Sequence, residues 1–172
     1  DKGIGVYLIA GDVGSAYENR WFSLTPDEQW SSSYYAPVST SLAADPAYVI
    51  VYNPNASPIT VNYDTAAQSN QSLTVAAKST GYVLMPASAA HFYTSTGAKF
   101  FAISVIDADA TSNATHDWSY SLVPDSYLTD KFVVAWGPGN GNTPLANGTI
   151  SGINGSPVWV TPTANTVIFI DS

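Results

Sequence analysis

Apolar and polar positions in this chain alternate with a period of two, and almost nowhere with 3.6. Short runs rich in Val, Ile, Tyr, Phe and Trp are separated by clusters of Gly, Pro, Asn, Asp and Ser, the pattern of strands and turns. Residues 6–10 (VYLIA) and 21–24 (WFSL) open the series. Residues 30–38, 47–53 (AYVIVYN), 59–64 (ITVNYD), 71–76, 81–85, 91–94, 99–107, 118–122, 132–136, 157–161 and 166–171 continue it. Within 59–64, Ile59, Val61 and Tyr63 alternate with Thr60 and Asn62, so one face of that strand should meet water. The link NPNASP at 53–58 reads as a hairpin loop between its two flanking strands. Single helical turns are expected only at 42–44 and 125–130.

Strand-like runs spaced by roughly 8–12 residues are the cadence of a sandwich or jelly roll. The expected fold is therefore all-β: one jelly-roll-like β-sandwich over 1–172, with ~10–13 strands and little helix. Its expected core is Val49, Val51, Val61, Val83, Phe101, Ile103, Val105, Val133, Trp136 and Val160. The glycine- and asparagine-rich stretch 137–155 is expected to be a long surface loop and, with Tyr34-Tyr35, a contact region.

Composition narrows the setting. Only 10% of the 172 residues are charged, against roughly 25% in an average soluble domain. Neutral hydroxyl and amide groups must wet this surface, which suits a protein outside the cell. The 13 acidic residues against 5 basic give a net charge of −8. Counterion release from nucleic acid needs clustered Lys and Arg, and Lys2, Arg20, Lys78, Lys99 and Lys131 are far apart. Nucleic acid and anionic membrane surfaces are thus disfavoured as partners. No run approaches the ~20 apolar residues of a membrane-spanning helix, so no direct membrane insertion is expected. With no cysteine, disulfides, thiolate metal sites and cysteine nucleophiles are excluded. Opening on Asp1, the chain reads as processed or excised from a longer extracellular protein.

Titratable chemistry is thin. His91 opens a strand and reads as structural, whereas His116, beside Asp117 in an acidic loop, is the better functional histidine. No G-x-S-x-G elbow accompanies the many serines. Asp107, Asp109, Asn113 and Asp117 put four oxygen ligands within one segment, which makes calcium the candidate cofactor. The segment lacks the glycine and terminal glutamate of an EF-hand, and a polar turn capped by aspartates is the alternative. For ligand binding the candidates are Tyr34, Tyr35 and Trp118, since a sugar ring stacks on an aromatic face. Tyr34 and Tyr35 point to opposite faces of one strand, so only one of them can be buried. Asn-x-Ser/Thr acceptors stand at Asn70, Asn113 and Asn147. Two more, at Asn55 and Asn154, have a proline after the serine that weakens them.

The segments YYAPV (34–38), AYVIVYNPNASPITVNYD (47–64) and STGYVLMPASAAHFYTSTGAKFFAIS (79–104) resemble the IgGFc-binding-type module of large bacterial surface proteins and an animal mucus protein. The later runs 117–140 and 156–171 look like repeats of long bacterial cell-surface proteins. The resemblance implies a β-rich extracellular module in a multidomain, adhesin-like protein; it brings no catalytic motif and no antibody binding.

The expected function is a non-enzymatic extracellular surface module, an adhesin domain or spacer at the cell surface. Its expected partners are neighbouring domains or subunits of a surface protein, and glycans. Two alternatives stay open: a carbohydrate-binding module, or a filament subunit assembled by donor-strand exchange through its N-terminal strand.

Overall fold

The computed structural model of the chain describes residues 5–10, 20–36, 47–85, 89–106, 119–133, 160 and 162–169. The chain divides into two compact units, Asp1–Leu128 and Thr129–Ser172. The first is all-β and sandwich-like and holds every described strand. These are β1 (Tyr7–Ala10), β2 (Arg20–Ser23), β3 (Ser33–Ala36), β4 (Ala47–Tyr52), β5 (Ile59–Asp64) and β6 (Gln71–Val75), followed by β7 (Thr80–Leu84), β8 (Ala90–Tyr93), β9 (Phe101–Ile106), β10 (Ser119–Ser121) and β11 (Val123–Pro124). Two 3-10 turns complete the described elements. Asp125–Tyr127 falls where a helical turn is expected, and Asp27–Gln29, after Pro26, is an addition to the expectation.

All pairings are antiparallel. One sheet has the order β10-β9-β4-β7, a second β11-β3-β8-β5-β6, and β1-β2 form a two-stranded ribbon. Alternation puts every second side chain of each large sheet into one shared core. Val49 and Val51 of β4, Val83 of β7 and Ala102 of β9 meet Tyr34, Val61, Val75 and Phe92 of the other sheet. The ribbon borders the β10 edge, where the Ser121 hydroxyl donates to the Ser23 carbonyl at 3.2 Å.

The link 53–58 is not a hairpin loop. β4 and β5 belong to different sheets, so the chain crosses the sandwich there. Asn53 is fully buried and organises the crossing. Its Nδ2 donates to the carbonyls of Ser57, Val75 and Ala76 at 2.9, 3.1 and 3.0 Å. Its Oδ1 accepts from the backbone N–H and the side-chain amide of Asn55 at 2.9 and 2.8 Å. One side chain thereby ties the crossing loop to the end of β6.

Four core expectations are corrected. In β9 the inward residues are Ala102 and Ser104, because register with β4 pairs them with inward Val51 and Val49. Phe101 and Ile103 therefore take the opposite face, half-buried, with the Trp30 ring 5.3 Å from Phe101. Val133 and Val160, in the second unit, are exposed. Residues 132–133 and 166–169 form no strand. Strand propensity is realised only where a neighbouring strand pairs the backbone, and none does so there among the described residues. Val49, Val51, Val61, Val83 and Val105 are buried as expected, whereas Trp136 lies outside the described residues.

Candidate functional site: the open face of the five-stranded sheet

Three neighbouring strands, β3, β8 and β5, build a two-by-three array on the outer face of their sheet. Register aligns Tyr35 with His91 and His91 with Asp64 in one row. The next row aligns Ser33 with Tyr93 and Tyr93 with Asn62. Side chains directly opposite in such pairs come within reach of one another. All six are half-buried, while the alternate residues Tyr34, Phe92 and Val61 fill the core. The array thus follows from strand alternation in three short runs plus their register.

His91 is its centre. Its ring stacks on Tyr35 at 4.3 Å between centroids and 9° between planes, and on Tyr93 at 4.8 Å and 23°. Its Nε2 lies 2.9 Å from the Ser33 hydroxyl oxygen. Burial pushes the imidazole pKa below its usual 6.5, with the nearby Asp64 and Asp125 carboxylates pulling partly the other way. The ring is therefore neutral at physiological pH and offers one donor and one acceptor nitrogen. Asp64 Oδ1 accepts the Asn70 backbone N–H at 2.7 Å and so is turned toward the adjoining loop.

Chemically, the array combines hydroxyl, amide, imidazole, phenol and carboxylate groups at the edge of an aromatic stack. Ser33 and His91 have the spacing of a nucleophile–base pair. Among the described residues, however, no carboxylate hydrogen-bonds the other nitrogen of His91. The site is a sheet face rather than a cleft. Two shallow depressions, of about 540 and 390 Å³, lie elsewhere, where the 53–60 crossing meets the 95–99 loop.

Of the ligand-binding expectations, Tyr35 belongs to this array. Tyr34 does not: it is buried, its hydroxyl donates to the Phe100 carbonyl at 2.7 Å and accepts the Ser31 N–H at 2.8 Å. Desolvation pushes its pKa up to about 12. A tyrosine facing the core cannot meet a ligand from solvent. Asn70 is exposed in a left-handed turn with φ of 58° after β5. The remaining candidates, Asp107, Asp109, Asn113, Asp117, Trp118 and Asn147, together with His116, lie outside the described residues. Among the described residues no three His, Asp or Glu side chains group as metal ligands, and no helix is long and apolar enough to cross a membrane. Ser33, His91, Tyr93, Asn62 and Asp64 were not expected as site residues. The available signal was alternation: each stands one residue from a core position in its own strand.

Comparison of the chain with protein-family models, with curated proteins and with solved structures finds no match in any of the three.

Proposed function

We propose that this chain is a non-enzymatic extracellular surface module, of the adhesin type, that makes contact through the β3–β8–β5 face, and that the ligand class is carbohydrate. One observation carries the reading: six half-buried side chains, aromatic and polar, share a face in two aligned rows. Tyr35, His91 and Tyr93 stack in that face with His91 in the middle. Hydroxyl recognition by Ser33, Asn62, Asp64 and the ring substituents suits a neutral, polyhydroxylated ligand. Recognition of this kind draws on a few well-placed polar groups beside aromatic surface. A surface poor in charge, the net charge of −8 and the resemblance of 34–104 to modules of large surface proteins point to the same setting. Neighbouring domains of a surface protein and glycans are the partners this reading implies.

A glycan array probed with the wild type and with Tyr93→Ala tests it. Binding to a defined glycan set, lost in Tyr93→Ala at unchanged thermal stability, is the expected result. No binding to any glycan, or binding indifferent to the substitution, counts against this face. A second reading, acyl transfer at Ser33, is favoured by the 2.9 Å separation of Ser33 Oγ and His91 Nε2. Covalent labelling of Ser33 by a fluorophosphonate, lost in His91→Ala, would establish it and overturn the non-enzymatic assignment.

A further inference from the structure

Among the described residues, two strands of the first unit present an unpaired, charge-free edge, and they lie at opposite ends of one row of strands. β7 pairs with β4 on one side only. The bonds from Met85 N–H to the Ala47 carbonyl and from Asn53 N–H to the Ser79 carbonyl fix the phase of that ladder. Gly81 and Val83 therefore bond to β4, and the N–H and C=O of Thr80, Tyr82 and Leu84 point to the free edge. The Tyr82 and Leu84 side chains are 65% and 54% exposed. On the ribbon, the bond from Leu24 N–H to the Val6 carbonyl fixes the phase of β1 against β2 in the same way. The backbone groups of Gly5, Tyr7 and Ile9 then face away from β2. Val6, Tyr7 and Leu8 are exposed around them, Tyr7 at 69%. Among the described residues no strand pairs with either edge.

We propose that copies of this chain associate head to tail, β1 of one copy adding antiparallel to β7 of the next with Tyr7 opposite Tyr82. The occupant of the β7 edge is thus a second copy. Three alternate residues on each strand offer backbone groups at matching spacing, so 5–9 against 80–84 closes a complete short ladder. Tyr7 extends the face that already holds the Tyr48–Tyr82 ring pair, whose centroids are 5.8 Å apart. Val6 and Leu8 fall on the side of Val83, beyond the edge of the core. Natural edge strands are commonly protected by charge, proline or a bulge; YLIA of β1 and TGYVL of β7 have none. In a chain of net charge −8 these uncharged strips are where two copies meet with least repulsion. The ribbon sits at the β10 end of the four-stranded sheet and β7 at the other end. Addition therefore propagates in one direction, as heterologous contacts do.

Sedimentation velocity of the full chain up to about 1 mM, with Tyr7→Lys and Leu84→Lys as single variants, tests the proposal. The wild type should show association continuing beyond a dimer, and each variant should be monomeric. An equimolar mixture of the two variants should regain association that stops at a heterodimer, because one keeps only β7 intact and the other only β1. A wild type that stays monomeric or stops at a dimer overturns the proposal, as does a Tyr7→Lys variant that still self-associates. If a variant fails to fold, amide exchange on the wild type decides. Protection of Thr80, Tyr82 and Leu84 should rise about tenfold between dilute and concentrated protein, and unchanged exchange overturns the proposal.

Discussion

Replacing Asn53 by alanine should be the most damaging single change to the polar groups of the sandwich. The substitution strips donors from three carbonyls, those of Ser57, Val75 and Ala76, and an acceptor from two N–H groups of Asn55. Asn53 and Val75 are buried, so water cannot fully replace what is lost. Each buried group left unpaired costs about 1–3 kcal/mol, and each partly exposed one about 0.5–1.5 kcal/mol. With one bond fully buried and four partly exposed, the sum is about 6 kcal/mol. That is a large part of the ~5–15 kcal/mol holding a typical domain together. At about 2–4 °C per kcal/mol for a chain of this size, Tm should fall by roughly 12–24 °C. Urea unfolding followed by tryptophan fluorescence measures the free energy directly. Asn53→Asp should be at least as harmful, because it keeps the acceptor but points a second oxygen at three carbonyls. Asn55→Ala, which loses the partner but not the hub, should cost only about 1 kcal/mol. A loss below about 1 kcal/mol in Asn53→Ala, or Asn53→Asp as stable as the wild type, would refute the idea that this side chain organises the crossing.

Other outcomes follow from the same packing. Tyr34 has its pKa raised from 10.0 to about 12 by burial. Its stabilising contribution is full below pH 10 and fades as pH rises through about 12, so Tyr34→Phe should flatten the alkaline limb of a plot of stability against pH. His91 has its pKa lowered by burial. Its contribution is present above pH 6.5 and lost as pH falls through the folded-state value, so His91→Gln should lose less stability than the wild type on acidification from neutral pH. A Cβ at Gly81 would lie 3.2 Å from Val75 Cγ2 and 3.3 Å from Leu73 Cδ2. Gly81→Leu should therefore force β6 and β7 apart and cost about 2 kcal/mol by overpacking, read as a lower urea midpoint at unchanged slope.

The strands of the first unit were legible because period-two alternation and turn residues are local signals. What alternation could not settle was which face of a strand with apolar residues on both sides turns inward. In β9 (FAISVI), size points to Phe101 and Ile103 as core, yet pairing with Val49 and Val51 turns Ser104 and Ala102 inward. The crossing at 53–58 was misread because its Asn and Pro residues suit a hairpin loop equally well. The tie from Asn53 to Val75 and Ala76 spans more than twenty residues of sequence. The candidate face was half visible. The adjacency of Tyr34 and Tyr35 gave one aromatic on the outer face, but its neighbours across the sheet come from β5 and β8. Only strand order and register bring His91, Tyr93, Asn62 and Asp64 beside Tyr35. Read along the chain, His91 is one histidine at a strand start; read across the sheet, it is the centre of an array.

The contact assignment of that array is tested most directly by following the His91 and Tyr35 ring signals by NMR while titrating a glycan that the protein retains on an array. These two rings, with the Tyr93 ring and the Asn62 side-chain amide, should shift together along one saturable curve. Shifts confined to the 53–60 and 95–99 loops, with the His91 ring unmoved at saturation, would contradict it.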